Sequence, residues 1–221
     1  MATLTDAPLA PLLDRLFEDD DRSREGASAE FAAVSDEERE RLRRSKTDYL
    51  DFYGQLKNLP LAVSRETGTL LYMLARSMGA RSIIEFGTSF GISTLHLAAA
   101  LRDNGGGRLI TTEFEPSKLA RARKNLAAAG LADLVVFREG DALRTLSVDL
   151  PQTIDLVLLD GAKALYPEIL SLIESRLRPG ALIVANNADY SAEYLTRVRS
   201  PASGYLSVPF ADDVELSMRL G

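Results

Sequence analysis

The sequence predicts an α/β protein: a Rossmann-like, doubly wound, seven-stranded mixed sheet of five parallel strands plus a C-terminal antiparallel hairpin, with extra N-terminal helices. Three observations predict it. Short apolar runs rich in β-branched residues alternate with helix-length segments between residues 82 and 185, the pattern of repeated βαβ units. The first run, IIEF, leads into Gly87 and Gly91 and then a helix start, so a tight backbone turn sits at the carboxyl end of a buried strand. The last two strand-like runs, 204–210 and 214–220, are separated only by Ala211, Asp212 and Asp213, which suits a hairpin and is too short for a crossover.

The chain reads as a single domain, 1–221, with a helical extension over 1–60 and the Rossmann-like core over 61–221. Leu9, Leu12, Leu13, Leu16 and Phe17 form an apolar stripe at helical spacing, ended by the acidic run Glu18–Asp21. Ser35 and Glu38 make a capping box that opens a second helix carrying Leu42, Tyr49, Leu50 and Tyr53. The basic cluster at 39–46 contains Glu40 and follows Glu37 and Glu38, so it reads as a solvated helix face rather than a nucleic-acid patch. A helix over 67–78 feeds the first core strand. The core then runs as 82–86 (strand), 91–102 (helix), 108–114 (strand), 116–129 (helix), 134–138 and 154–160 (strands), 164–177 (helix) and 181–185 (strand). Pro116 opens its helix and Gly130 closes it. Asn104–Gly107 is a turn, and Pro179–Gly180 turns the chain into the fifth strand.

Composition removes several classes. The 221 residues suffice for one well-buried core, and 46% hydrophobic content is ordinary for a globular protein. A net charge of −6 opposes a protein held to nucleic acid chiefly through phosphates. With no cysteine, disulfides, thiolate metal sites and cysteine nucleophiles are excluded. The N-terminal stretch lacks the basic and apolar segments of a signal peptide, and no apolar run approaches a membrane span, so a cytoplasmic protein without membrane contact is expected.

The strand ends carry the chemistry. Glu85, Glu113, Asp141 and Asp160 close successive strands and are expected along one edge of the sheet. A carboxylate at Glu113, at the tip of the second strand, suits a ribose diol. An acidic edge disfavours a diphosphate, Ser89 occupies the place of the middle glycine of a dinucleotide loop, and the loop has no lysine or arginine. A nicotinamide dehydrogenase is therefore the weaker reading. S-adenosylmethionine, a nucleoside carrying a sulfonium and an ammonium, fits better. The lone histidine, His96, reads as packed within the helix after the loop.

From about Pro60 onward these motifs together resemble the class I S-adenosylmethionine-dependent O-methyltransferases, specifically those similar to catechol and caffeoyl-CoA O-methyltransferases. EFGTSFGIST resembles the cofactor loop, implying cofactor contacts at Glu85, Gly87, Ser89, Gly91 and Ser93, with Glu113 at the ribose and Asp141 at the adenine. LLDGAKALY resembles the segment that supplies a metal ligand and cofactor neighbour, here Asp160, and a lysine near the methyl acceptor, here Lys163. The resemblance thus implies catalytic roles for Lys163 and Asp160. VANNA resembles the metal pair, implying a Mg²⁺ or other divalent site at Asp160, Asn186 and Asn187, and DDVE implies that Glu215 faces the substrate beside Asn187 and Lys163.

The sequence departs from the pattern at Asn186, where the family carries aspartate, and at Asp213, where it usually carries glycine. Losing a carboxylate removes one charge from a hard-cation site, so a divalent ion is expected to bind weakly or not at all. Lys163 would then act as general base or as a cation lowering the acceptor's pKa. The expected activity is methyl transfer to a hydroxyl of a small acceptor of phenolic or natural-product type, in a homodimer. An RNA-nucleoside methyltransferase and a metal-free or inactive adenosyl-binding protein remain as alternatives.

Overall fold

In the computed structural model, which describes residues 2–31, 35–210 and 213–221, the sheet has seven strands in the order β3-β2-β1-β4-β5-β7-β6. The chain runs α1 (Leu9–Phe31), α2 (Asp36–Arg43), α3 (Tyr49–Gln55), α4 (Arg65–Ser77), β1 (Ser82–Phe86), α5 (Ile92–Asp103), β2 (Arg108–Glu113), α6 (Pro116–Ala128) and β3 (Val135–Glu139). It continues with α7 (Ala142–Thr145), β4 (Ile154–Leu159), α8 (Tyr166–Ile173), β5 (Leu177–Asn186), α9 (Ala192–Arg199), β6 (Tyr205–Phe210) and β7 (Val214–Arg219). The first five strands pair in parallel; β7 pairs antiparallel with both β5 and β6. The expected doubly wound sheet and its closing hairpin are both present.

Period-two alternation divides the core into two layers. Ile83, Leu109, Leu156, Leu158 and Val184 face α1, α4 and α5, whereas Ile84, Ile110, Val157, Leu159 and Ile183 face α8 and α9. Helix α5 is buried along Ile92–Leu101, because α4 and the stripe of α1 cover the side turned away from the sheet. A helix apolar nearly all round needs such a second cover. The order reverses between β1 and β4, so a crevice opens there at the carboxyl ends of the parallel strands.

Several boundaries differ from expectation. Helix α1 runs through the acidic run to Phe31; acids on an exposed face do not end a helix, and Asp19 pairs with Arg22 one turn later at 2.5 Å. The expected second helix is two, because the Ser45 hydroxyl accepts the N–H groups of Thr47 and Asp48 and breaks the ladder. Pro179–Gly180 lies inside β5, where the pairing with β4 slips, rather than before it. Of the hairpin turn, Ala211 and Asp212 lie outside the described residues. Helices α7 and α9 had no sequence expectation.

Candidate active site

A cavity of about 710 Å³ fills the crevice. Its floor comes from the strand ends: Gly87, Thr88 and Ser89 after β1, Glu113 at the end of β2, Asp141 after β3, Asp160–Lys163 after β4, and Asn186 and Asn187 at β5. Because β7 runs antiparallel to β5, with Val214 opposite Asn186, the residue before β7, Asp213, also arrives at this edge. The roof comes from the amino-terminal helices through Phe17, Arg43, Tyr49, Phe52 and Tyr53.

Gly87 and Ser89 adopt positive φ, at +105° and +47°. A Cβ on Gly87 would stand 2.7 Å from the carbonyl of Asp160, so this glycine is required by the close approach of two strand-end loops. The Ser89 N–H donates to Glu113 Oε2 at 2.9 Å, and the Glu115 N–H donates to Glu113 Oε1 at 3.0 Å. Two backbone donors therefore hold the Glu113 carboxylate at the cavity wall with lone pairs to spare. Burial pushes the Glu113 carboxyl up, against the Glu115 N–H and the nearby Lys118 ammonium. Asp141 caps α7 through Leu143 N at 2.9 Å and lines the cavity. Ser93 lines it too, with its hydroxyl donated to Glu85.

Two residues expected at the cofactor do not line the cavity. Glu85 is fully buried behind the loop, accepting hydroxyl hydrogens from Ser93, Thr94 and Thr111, each at 2.6 Å. Its side chain takes the α5 face of β1, the same face as Ile83 two residues earlier, and meets donors on α5 and β2. Gly91 begins α5 with φ +86°, and a Cβ there would meet Leu126 at 3.0 Å; its smallness serves helix packing.

At the end of β4, Lys163 Nζ donates to Asp160 Oδ1 at 2.8 Å, with Lys163 only 8% exposed. Burial alone would lower the lysine pKa, but Asp160, Tyr53 and Asp213 outweigh it and hold the ammonium above its ordinary value. This environment favours the second of its two expected roles, a cation beside the acceptor. Asn186 Nδ2 donates to the same Asp160 Oδ1 at 3.0 Å and to Asn187 Oδ1 at 3.3 Å; Asn187 Nδ2 donates to Asp213 Oδ2 at 2.7 Å.

This donor set does not fit a divalent ion. Asp160 is the sole carboxylate among the three expected ligands, its Oδ1 already takes two N–H donors, and an amide nitrogen stands where an oxygen ligand is needed. Glu215 does not line the cavity. It is 1% exposed inside β7, bound by Arg199 Nε at 2.8 Å and Nη2 at 2.6 Å and by the Ser207 hydroxyl at 2.6 Å. Asp213 lies just before β7 at the strand-end edge and lines the cavity, whereas Glu215 sits inside the strand opposite Ala185.

Several cavity residues had no sequence signal strong enough to single them out. Lys118, 4% exposed on α6, reaches Ser89 Oγ at 3.3 Å, and only its place one turn into the helix after Glu113 hinted at this. Tyr49 and Tyr53 looked like an ordinary helix stripe, Arg43 like part of a solvated face, and Phe52 carried no expectation. His96 is buried as expected, with Nδ1 2.8 Å from Ile92 O.

Residues 84–188 match the family described as "Methyltransferase domain". The catechol O-methyltransferase of Niastella koreensis is 39% identical over 134 residues, 58% of this chain and 58% of its own length. That of Mycobacterium tuberculosis is 37% identical over 127 residues, 58% of this chain and 57% of its own. The matched region therefore spans less than two thirds of these relatives. Among solved structures, the O-methyltransferase TomG from Streptomyces achromogenes, involved in tomaymycin synthesis and solved with SAM, superposes with a TM-score of 0.63 at 28% identity, covering 89% of this chain and 96% of that one. A putative O-methyltransferase from Klebsiella pneumoniae gives a TM-score of 0.65 at 25% identity, covering 80% and 92%. The fold and its crevice are those of an α/β methyltransferase. Over residues 84–188 in sequence and over most of its length in fold, the chain is similar to proteins named as O-methyltransferases.

The buried Glu85 has a measurable consequence. Burial pushes its carboxyl up to about 7, against the three hydroxyl donors. Between about pH 4.5 and 7 the unfolded chain ionises this group while the folded protein retains the proton. Stability from this group is therefore present in acid and lost as pH rises through that window, on the order of 3 kcal/mol in all. In urea titrations the native protein should lose stability across the window relative to Glu85→Gln; parallel pH profiles would contradict the assignment.

Proposed function

We propose that this protein transfers a methyl group from S-adenosylmethionine to a hydroxyl oxygen of a small phenolic acceptor, without a divalent ion. The observation that carries this reading is the buried Lys163 ammonium, held on Asp160 at the floor of the cavity. The relatives' names, the acidic strand-end edge and a glycine loop without lysine or arginine favour the same donor and reaction. S-adenosylmethionine, when bound, supplies a methyl on a sulfonium: the O–C bond forms as the C–S bond breaks, and the electron pair passes to sulfur.

The chain's own groups divide the work. Glu113 accepts from the ribose hydroxyls and Asp141 from the adenine side, while Gly87, Ser89 and Ser93 shape the wall against which the nucleoside lies. Asp160 holds Lys163 and closes the cofactor pocket toward β4. Lys163, being already charged, stabilises the acceptor oxygen as an oxyanion, lowers the pKa of its hydroxyl, and lets the proton leave to water. Asn187 and Asp213 accept or donate to a neighbouring polar group of the acceptor. Phe17, Phe52 and Tyr53 supply apolar and aromatic walls that align the ring and exclude water, and alignment alone is worth many powers of ten. Residues 1–60 thus act with 61–221 as one functional unit.

Methyl-transfer assays on a panel of hydroxylated aromatics test the reaction directly. Activity should persist in excess chelator, and Lys163→Ala should lower turnover by about 10²–10³-fold while S-adenosylmethionine still binds. Complete loss with chelator, restored by Mg²⁺, would contradict the metal-free reading. Glu113→Ala should weaken S-adenosylmethionine binding by about 1.5–3 kcal/mol, measured by calorimetry; unchanged affinity would overturn the ribose assignment.

The assembly proposed is a cytoplasmic homodimer that binds neither nucleic acid nor membrane. No helix among the described residues is long and apolar enough to cross a membrane. Leu206, Val208, Phe210 and Met218 expose apolar side chains on the edge hairpin of β6 and β7, an unusual surface for a free sheet edge. Light scattering should give twice the mass of the 24.1 kDa chain, and a monomer mass at micromolar concentration would refute pairing.

A further inference from the structure

The basic cluster at the end of α2 is not one uniform surface. Arg41 is clasped by Glu38 at 2.7 Å and reaches Asp48 at 3.3 Å. Arg44 pairs with Glu40 at 2.6 Å, and Lys46 bridges Glu168 and Glu193 at 2.6 and 2.8 Å. Arg43 behaves differently. It is half-buried, lines the cavity, and makes no ion pair among the described residues. Its Nη1 donates to the Tyr190 hydroxyl at 3.3 Å, and its guanidinium lies 5.2 Å from the centre of the Tyr190 ring. Tyr190 lines the same cavity. A guanidinium propped on an aromatic face keeps its forked donors aimed while leaving its charge unneutralised.

The two cations of the acceptor side are thus unequal. Lys163 is neutralised by Asp160, whereas Arg43 faces the cavity without a carboxylate. Both act electrostatically on the same Tyr53 hydroxyl, so they flank one stretch of the cavity. A cation half-removed from water and lacking a counter-charge favours a ligand that brings one, and a planar guanidinium suits a carboxylate best.

We infer that the acceptor is an acid: a hydroxylated aromatic ring carrying a carboxylate, bound with that carboxylate on Arg43 and its reacting hydroxyl at Lys163. This rests on the methyl-transfer reading for the second half of the statement only. The first half, an anion subsite at Arg43, is a binding claim and is tested by binding.

The experiment is calorimetric titration of the full chain, saturated with S-adenosylhomocysteine, with protocatechuate, caffeate and neutral catechol. At least one of the two acids should bind about tenfold or more tightly than catechol, the value of a charge-assisted hydrogen-bonded pair. That preference should collapse toward unity in Arg43→Gln and be partly kept in Arg43→Lys, with S-adenosylhomocysteine affinity reporting that each variant is folded. Equal binding of acids and catechol by the native protein would overturn the proposal, as would a preference that survives Arg43→Gln. Parallel assays separate the two readings. Arg43-dependent acid binding with no methyl transfer would sink the methyltransferase reading alone. Methyl transfer with no acid preference would sink the anion subsite alone.

Discussion

The buried pair of Lys163 and Asp160 is the interaction on which the rest of the site depends. An ammonium withdrawn from water is costly unless a counter-charge meets it in good geometry, and removing either partner leaves the other stranded. The fold invests in keeping the pair in place. The Asp160 N–H donates to Phe86 O at 2.8 Å, tying the end of β4 to β1, and Gly87 lets the two loops touch there. On the other side the Tyr166 hydroxyl lies 2.8 Å from Leu159 O and 2.7 Å from Asn186 O, joining the ends of β4 and β5. Three adjacent strand ends therefore hold one charge pair. In the proposed reaction the same pair marks the point where the donor half of the cavity meets the acceptor half.

Those halves have different origins. The donor half is built from strand ends whose positions follow from sheet pairing, so its polar atoms are held by backbone donors such as Ser89 N–H and Glu115 N–H. The acceptor half is roofed by α1 to α3, which reach it through side chains from exposed helices. Substituting Asn for a carboxylate at 186 and placing Asp213 opposite Asn187 moves negative charge from beside Asp160 to the cavity rim. Charge is redistributed across the acceptor side, and with it the polarity an acceptor must match.

Much of this was legible in the sequence, for identifiable reasons. The strand count, the hairpin and the place of the crevice follow from period-two apolar runs and loop lengths, which short-range rules govern. Glu113, Asp141, Asp160 and Lys163, each at a strand end or within four residues after one, all line the cavity. Glu85 and Glu215 do not line the cavity because both lie within a strand with their side chains buried, and motif likeness carries no information about that depth. Gly91 lies against Leu126 and does not line the cavity, since a glycine at a helix start serves packing as readily as a ligand. Arg43, Tyr190 and Tyr53 were invisible because they are brought together by helix–sheet packing across more than a hundred residues. No local pattern encodes such a meeting.

The central claim is that a lysine ammonium stands where a charged metal site would otherwise organise the acceptor. Calorimetric titration of Mg²⁺ into the native protein saturated with S-adenosylhomocysteine tests it most directly. The account predicts no saturable binding up to millimolar Mg²⁺, since Asp160 Oδ1 is occupied by Lys163 and Asn186. Stoichiometric binding in the micromolar range, with the Lys163–Asp160 contact displaced, would contradict it.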